Sequence, residues 1–289
     1  MNSAGDTTDP GKRDIAWING RWGSPEALCL PLRDRGLLLA DGLFETVLVR
    51  AGRPQLLEAH LRRWRRGAAL LAMAPPPEQS SVEPLIDAAI QRAGLTNGSG
   101  ALRLNWSRGN GSGRGIDIPA TGDSEDGHRF WLQLTPCEPV FSPQTALISR
   151  HERRNAGSRL SHCKTFAYGQ AIQARREARA AGADEALLLS SDGGLCCGAV
   201  ANLLVRRGGR WLTPPLSSGC LPGVMRGRAL ALGLAQEAEL PGTATTPQAA
   251  NERWLLLNSL SCRPLSAIDG RPLPHLSAAE AEAFWRQLL

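Results

Sequence analysis

The apolar residues of this chain change their period along the sequence, which requires a fold that combines helices with strands. Residues 43–49 are rich in β-forming side chains, and residues 50–53 have the composition of a tight hairpin turn. From residue 57 the apolar positions recur at steps of three and four, which predicts one buried helix face, and the prolines at 75–77 end this helix. With 289 residues, the chain is long enough for one large domain or two ordinary ones.

A polar, turn-rich stretch at residues 120–128 divides the chain and predicts an interdomain linker. We expect a disordered tail over residues 1–13, an α+β domain over 14–119 and an α/β domain over 129–289, so that the fold class is α/β. The individual elements are predicted from local periodicity. Further strands are predicted at 16–20, 102–107, 130–134, 146–149, 186–189, 200–205 and 254–257, and further helices at 82–93, 171–181, 223–238 and after a capping box that opens at Ser277.

The composition is that of an ordinary globular protein, with 42% apolar and 21% charged residues. The polar beginning of the chain lacks the apolar core of a secretory signal, and no apolar run approaches the ~20 residues of a membrane helix. Seven cysteines without an export signal favour reduced thiols and a cytoplasmic location. The net charge of +6 would suit a nucleic-acid-binding protein, but the arginines are scattered, so we expect neither nucleic acid nor a membrane as a partner.

Lysine is almost absent from the chain, which carries 33 basic residues. The two lysines are Lys12, in the predicted tail, and Lys164. Because lysine is the basic side chain that forms a Schiff base with a carbonyl group, an interior lysine in an arginine-rich chain indicates covalent chemistry. The single tyrosine, Tyr168, follows it by four residues. Chance in an arginine-rich composition would explain the same counts, so both explanations stay open at this point.

Two other motifs fit familiar sites poorly. Residues 108–115 are rich in glycine, but a dinucleotide fingerprint leads into a helix, and the residues that follow here are a poor helix start. The cysteines lack the C-x-x-C spacing of a metal site, so we expect no metal. The glycine-rich loop still contains Arg108 and Arg114, which suit an anionic ligand, although a plain flexible loop is an equally good interpretation.

The order and spacing of several segments resemble the pyridoxal-phosphate-dependent enzymes of fold type IV, a family of aminotransferases and lyases. The resemblance extends from residue 18 to about residue 270. It is carried by residues 34–36, 41–46, 60–63, 164–168, 182–186, 202–203 and 221–226. It implies two α/β domains with pyridoxal 5′-phosphate in the cleft between them, and a homodimer.

The resemblance also implies roles for individual residues. Lys164 is the catalytic lysine that carries the cofactor, and Arg63 binds the cofactor's phosphate group. A second phosphate contact is implied at the start of a helix. The further cofactor-binding residues implied are Tyr168, Cys197, Asn202, Gly223, Val224, Met225 and Ser259, and the candidate substrate-binding residues are Arg108, Arg114 and Asn258.

Two segments resemble the lyases of this family that act in folate biosynthesis. These segments are residues 258–260, which follow a buried strand, and the arginine- and glycine-containing residues 107–115. The lyase reaction converts 4-amino-4-deoxychorismate, a small molecule with two carboxylates, to 4-aminobenzoate and pyruvate. A branched-chain or D-amino-acid aminotransferase is the alternative, because aminotransferases share the remaining segments. A basic nucleic-acid-binding protein without a cofactor is an alternative of another class.

The chain departs from the family pattern at Cys197. The family usually has a glutamate there, five residues before the asparagine that corresponds to Asn202, and its carboxylate pairs with the protonated ring nitrogen of the cofactor. A thiol is a poor substitute for a full negative charge, so the cofactor would withdraw electrons less strongly. Transamination depends on this withdrawal more than an elimination that forms an aromatic ring. Cys197 therefore favours the lyase; an altered or degenerate enzyme is the other explanation.

Overall fold

The structure, a computed structural model, describes residues 11–111, 115–118, 127–242 and 252–289 of the chain. The chain divides into two compact units, with the division after Glu138. Each unit is built on a sheet of its own. Within the described ranges, none of the helices has the length and apolar character needed to cross a membrane.

The first unit is an antiparallel sheet with helices packed on it. Its strands are β1 (Ile15–Ile18), β2 (Arg21–Gly23), β3 (Gly42–Arg50), β4 (Arg53–Pro54), β5 (Ser99–Ser107) and β6 (Arg129–Pro136). Its helices are α1 (Arg35–Leu39), α2 (Leu57–Leu70) and α3 (Gln79–Arg92), with a short 3-10 helix at Pro25–Ala27. The strands follow one another in the order β2-β1-β6-β5-β3-β4, and each pair is antiparallel.

In the residues that the structure describes, the second unit is a mixed sheet with three α-helices. Its strands are β7 (Gln144–Arg154), β8 (Glu185–Ser190), β9 (Leu195–Gly198), β10 (Asn202–Arg207), β11 (Arg210–Thr213), β12 (Ala235–Glu237), β13 (Arg253–Asn258), β14 (Ser261–Ile268) and β15 (Arg271–Pro272). Its helices are α4 (Gly169–Ala180), α5 (Val224–Ala231) and α6 (Ala278–Arg286), with short 3-10 helices at Arg159–His162 and Leu216–Ser218. The strand order is β12-β11-β10-β13-β14-β7-β8-β9, and β15 pairs with β14.

Six strands of the second sheet form a closed ring. In the order β10-β13-β14-β7-β8-β9 each strand pairs with the next, and β9 pairs back with β10 through Cys197 and Asn202. The pairs that β7 makes with β14 and β8 are parallel, and the other pairs of the ring are antiparallel. A core that includes Trp254, Leu256 and Leu265 packs against these strands. Because each strand of the ring pairs with two neighbours, this pairing fixes the positions of the strand ends relative to one another.

Local sequence patterns account for several of these elements. The predicted apolar face of α2 is buried at Leu61 and Trp64. The turn between β3 and β4 is left-handed at Gly52, with a φ of 70°, as a two-residue hairpin turn requires. The predicted capping box opens α6, because the Ser277 hydroxyl accepts the N–H of Glu280 over 3.2 Å and the Glu280 carboxylate accepts the N–H of Ser277 over 2.7 Å.

The division between the units differs from the predicted linker at 120–128. β6 lies between β1 and β5 in the first sheet, so this strand belongs to the first unit rather than opening the second. Local periodicity predicts the strand but not its partners, which are distant in sequence. Residues 120–126 of the predicted linker and 1–10 of the predicted tail lie outside the described residues, whereas Arg13 pairs its N–H with the carbonyl of Ala93 over 3.2 Å.

The helix predicted over 223–238 is shorter in the structure, where α5 ends at Ala231. Gly233 has a left-handed φ of 68°, and the N–H of Leu234 turns back to the carbonyl of Ala229, so the helix ends there. The next residues form β12, which pairs in parallel with β11. The prediction of one continuous helix is wrong because a strand partner outweighs the helix propensity of this segment. β9, β11 and β14 are also additional to the predicted strands.

A buried carboxylate joins three parts of the first unit. Asp34 is fully buried and caps α1 by accepting the N–H of Gly36 over 2.8 Å. It also accepts the Ser107 hydroxyl over 2.8 Å and forms an ion pair with Arg129, which is itself buried. Because a buried carboxylate is costly without partners, these donors offset the cost of burying Asp34.

We therefore expect Asp34→Ala to lower the free energy of unfolding by about 3–5 kcal/mol, since it leaves the charge of Arg129 buried without its carboxylate. Urea unfolding followed by circular dichroism measures this change. Glu58→Ala is the matched control, because it removes an ion pair with Arg62 in which both side chains are exposed. Equal losses in the two variants would contradict a special cost for the buried pair.

Candidate active site

Lys164 and Tyr168 lie together in the segment between β7 and α4. Lys164 Nζ donates a hydrogen bond to the Tyr168 hydroxyl over 3.0 Å and lies 5.6 Å from the centre of the tyrosine ring. Both side chains are half-buried, and Tyr168 is the residue directly before α4. The structure thus brings together the interior lysine and the single tyrosine that the sequence analysis selected.

Gly223, Val224 and Met225 form the start of α5, beside Asn202. Asn202 Nδ2 donates to the carbonyl of Leu221 over 2.9 Å and so holds the turn that leads into the helix. A Cβ on Gly223 would lie 1.9 Å from Asn202 Oδ1, so a larger residue at this position would have to displace the Asn202 amide. The first amides of a helix have no acceptor within the helix and suit an anion. The turn therefore fits the phosphate group that the resemblance implies.

Cys197 and Asn202 form the register pair that closes the ring of strands. Both residues are buried. On its other side, Asn202 pairs with Leu257, so Asn258 follows at the same end of the neighbouring strand β13. The closure of the ring therefore places three of the predicted site residues at the ends of adjacent strands.

Cys197 belongs to a buried cluster that also contains Cys196 and Cys220. The Ser218 hydroxyl donates to Cys196 Sγ over 3.5 Å, and the Cys220 thiol donates to the carbonyl of Pro215 over 3.5 Å. A hydrogen bond with Cys197 raises the pKa of the Cys196 thiol. A hydrogen bond with Cys196, together with burial, raises the pKa of the Cys220 thiol. Cys196 and Cys220 are therefore neutral thiols. No group of three metal-binding side chains occurs within the described ranges.

Arg63, on α2, is bound to the buried carboxylate of Glu45 on β3. Its Nε donates to Oε1 over 2.8 Å and one of its terminal nitrogens donates to Oε2 over 2.5 Å, while His60 Nδ1 lies 2.7 Å from Oε2. Burial alone would raise the pKa of Glu45, but the charge of Arg63 and the hydrogen bonds of Arg63 and His60 lower the pKa from 4.5 to about 2. The ionised carboxylate thus fixes the direction of the Arg63 guanidinium.

Arg108, a predicted substrate-binding residue, is buried and engaged by three protein groups. Its Nε donates to Asp41 over 2.8 Å, and its terminal nitrogens donate to the carbonyls of Leu71 and Ala72, each over 2.9 Å. These carbonyls follow α2, so Arg108 closes the end of that helix. A substrate carboxylate would compete with these contacts. Arg114, the second predicted arginine, lies outside the described residues.

Asn258 and Ser259 belong to the turn between β13 and β14. Asn258 Oδ1 accepts the N–H of Leu260 over 2.8 Å and the hydroxyl of Ser261 over 3.0 Å. Trp285 Nε1 donates to the Asn258 carbonyl over 3.2 Å and so ties the turn to α6. The Asn258 side chain therefore stabilises the turn itself, and the contacts predicted for Asn258 with substrate and for Ser259 with cofactor remain predictions.

Two residues that hold the predicted site in place are not indicated by the sequence patterns. One is Glu45, the partner of Arg63. The other is Arg226 in the first turn of α5, which donates to the carbonyl of Pro214 over 2.8 Å and to Glu237 over 2.5 Å. Both lie within segments that carry the family resemblance, and that is the one signal that could select them, because their partners come from other elements.

Comparison with known proteins finds relatives over nearly the whole chain. Residues 42–268 match the model of the amino-transferase class IV family. The chain is 27% identical to the aminodeoxychorismate lyase of Bacillus subtilis, over 88% of this chain and 87% of that protein. It is 25% identical to the bifunctional aminodeoxychorismate lyase / D-amino acid transaminase of Mycobacterium tuberculosis, over 93% and 96% of the two chains.

Solved structures show the same architecture. The pyridoxal-phosphate-bound form of a hypothetical aminotransferase from Mycobacterium tuberculosis superposes with a TM-score of 0.78 at 24% identity, and the match covers 96% of this chain and 97% of that one. The expectation of a fold-type-IV architecture from the sequence is therefore confirmed.

The lowered pKa of Glu45 predicts a specific pH dependence of stability. Because the folded pKa lies below the ordinary value of 4.5, the carboxylate contributes stability that is complete above pH 4.5 and is lost as the pH falls through about 2. The shift from 4.5 to about 2 corresponds to about 3 kcal/mol. Urea unfolding between these pH values should show a steeper loss of stability in the wild type than in Glu45→Gln. If the wild type and Glu45→Gln lose stability equally over this pH range, the lowered pKa assigned to Glu45 is contradicted.

Proposed function

Because this chain belongs to the class IV aminotransferase family, we propose that it is a pyridoxal-phosphate-dependent lyase that converts 4-amino-4-deoxychorismate to 4-aminobenzoate and pyruvate. The observation that carries the proposal is the hydrogen bond of 3.0 Å between Lys164 Nζ and the Tyr168 hydroxyl. The only other lysine of the chain is Lys12. We therefore assign the Schiff-base chemistry to the amine of Lys164, which lies between β7 and α4.

Pyridoxal 5′-phosphate is the cofactor of this family, and the chain's residues suit its chemical groups. When bound, it supplies an aldehyde carbon that condenses with an amine and a ring that withdraws electrons from the reacting carbon. We assign Lys164 to the aldehyde, and Arg63 and the start of α5 to the phosphate. The start of α5 comprises Gly223, Val224 and Met225. The other residues that we propose to contact the cofactor are Tyr168, Cys197, Asn202 and Ser259.

The proposed reaction moves a proton and breaks one carbon–oxygen bond. As a free amine, Lys164 Nζ accepts the proton from the ring carbon of the substrate that bears nitrogen. Delivery of a proton to the methylene carbon of the enolpyruvyl group accompanies cleavage of the ether bond, so that pyruvate leaves and the ring becomes aromatic. The atoms balance without a further reactant. The Tyr168 hydroxyl, 3.0 Å from Nζ, orients the amine between the two transfers.

The side chain at position 197 favours the lyase over an aminotransferase. A thiol there supplies no carboxylate to balance a protonated ring nitrogen, and the neighbouring Cys196 and Cys220 are neutral thiols as well. An elimination driven by formation of an aromatic ring needs that balance less than transamination does. A D-amino-acid aminotransferase is the second candidate, because the Mycobacterium tuberculosis relative carries both names.

The substrate, setting and assembly follow from the same proposal. The two carboxylates of the substrate need cationic or amide partners, for which Arg114 and Asn258 are the candidates; Arg108 would first have to leave Asp41 and two carbonyls. We also propose that the enzyme acts in the cytoplasm, in folate biosynthesis, as a homodimer.

Lys164→Ala should abolish 4-aminobenzoate formation and the visible absorbance of bound pyridoxal phosphate, while the far-ultraviolet circular dichroism spectrum stays unchanged. Lys164→Arg should fail equally, because a guanidinium stays protonated and does not condense with an aldehyde. Lys12→Ala, which removes the other lysine, is the control and should retain both signals. Borohydride reduction followed by peptide mass analysis should place the cofactor on Lys164 in the wild type. A cofactor on Lys12, or an active Lys164→Ala protein, would refute the assignment.

Cys197→Glu separates the two enzyme candidates. The new carboxylate would restore a partner for the ring nitrogen, so we expect amino-group transfer to a 2-oxo acid to rise and 4-aminobenzoate formation to stay unchanged or fall. Cys197→Gln is the uncharged control and should raise neither product. Both products are measured at saturating cofactor. A wild type that transaminates and forms no 4-aminobenzoate would exclude the lyase, and a lyase rate about 100-fold higher in Cys197→Glu, worth about 2.7 kcal/mol, would mark the cysteine as a defect.

A further inference from the structure

The end of β7 contacts two segments of the second unit that lead to proposed cofactor-binding residues. Arg154, the last residue of β7, donates from Nε to the carbonyl of Gly219 over 3.1 Å and from a terminal nitrogen to the carbonyl of Ser161 over 3.3 Å. Its own carbonyl accepts the N–H of Ser191 over 2.7 Å, which fixes the backbone from which the side chain extends. One guanidinium therefore joins two segments that are distant in sequence.

The first of these segments carries Lys164. Ser161 lies three residues before the lysine, and its hydroxyl donates to the carbonyl of Asn155 over 2.6 Å, just beyond β7. On the other side of the lysine, two residues after Tyr168, Gln170 donates to the carbonyl of Arg153 over 2.8 Å. The residues from Lys164 to Tyr168 are thus held at both ends by the last residues of one strand.

The second segment leads into the phosphate turn, which we define as residues 221–225. Gly219 is buried and has a left-handed φ of 87°, and a Cβ there would lie 3.0 Å from the carbonyl oxygen of Asn155. The two backbones therefore approach closely, and the Arg154 guanidinium holds them in this contact. The turn itself is then fixed by the hydrogen bond from Asn202 to the carbonyl of Leu221.

We infer that Arg154 is a positioning residue that sets the distance between the cofactor-binding amine of Lys164 and the phosphate turn. The inference rests on the proposed function, because it concerns a ligand that both segments bind at once. The guanidinium suits this role since its planar fork donates in two fixed directions, whereas a lysine ammonium is a point charge on a flexible stem. Arg154 donates to backbone carbonyls of the two segments, and in this role it acts through their backbone.

Binding of two probes to the purified full-length protein tests this role. Pyridoxal 5′-phosphate engages both segments, and pyridoxal, which lacks the phosphate, engages the lysine alone. Dissociation constants are measured for both by absorbance titration with the wild type, Arg154→Gln and Arg154→Lys. Arg153→Gln is the matched control, because Arg153 is the adjacent arginine on β7 and its side chain is exposed.

In Arg154→Gln we expect the dissociation constant of pyridoxal phosphate to rise about tenfold, since a charged donor loses two acceptors. The dissociation constant of pyridoxal should change much less, so that the advantage conferred by the phosphate shrinks. Arg154→Lys should fall between Arg154→Gln and the wild type, and it serves as the test variant if Arg154→Gln does not fold. Arg153→Gln should leave both constants at the wild-type values.

Two results would overturn the inference. If both probes lose affinity equally, Arg154 supports the fold without coupling the two segments. If neither probe loses affinity although the thermal unfolding temperature falls, the contact is purely structural. A wild-type protein that binds neither probe would instead refute the proposed function, so the two failures are distinguishable.

Discussion

A single backbone pair, Asn202 with Cys197, closes six strands of the second sheet into a ring, and the candidate site depends on this closure. The pair brings the end of β9 beside the start of β10. From there the Asn202 side chain reaches the turn before α5 and lies against Gly223, where a Cβ would lie 1.9 Å from Oδ1. The position of the helix start that suits a phosphate therefore follows from strand pairing rather than from the turn preferences of the loop residues.

Arginine and lysine have different tasks in this chain. Arginines whose side chains are buried or mostly buried hold the fold: Arg63 binds Glu45, Arg108 binds Asp41, and Arg129 binds Asp34. Each pair satisfies a carboxylate that would be costly to bury alone, and the fork geometry of guanidinium allows further bonds to backbone carbonyls. Lys164 instead donates to the Tyr168 hydroxyl, which lies four residues further along the chain. Lysine is also the basic side chain that condenses with an aldehyde, as the proposed covalent role requires.

The parts of the fold that local patterns control could be predicted from the sequence. The buried face of α2, the hairpin turn at Gly52 and the capping box of α6 depend on residues within a few positions of one another. The place of β6 in the first sheet and the closure of the ring could not, because they depend on partners far along the chain. The site shows the same contrast. Lys164 and Tyr168 are neighbours in sequence, whereas Arg108 is buried against the end of α2 by carbonyls that are distant in sequence.

The ring also has a consequence for the order of folding. Its strand β7 pairs in parallel with β14, so that Gln144 lies opposite Leu265, and the intervening chain must be made before this pair can form. Contacts between such distant residues form slowly because the entropy of closing the long loop comes first. During synthesis, β7 to β10 emerge well before β14, and the ring stays open until then. The ends of these strands thus reach their final arrangement late, and a ligand that binds the closed ring would act after most of the chain has left the ribosome.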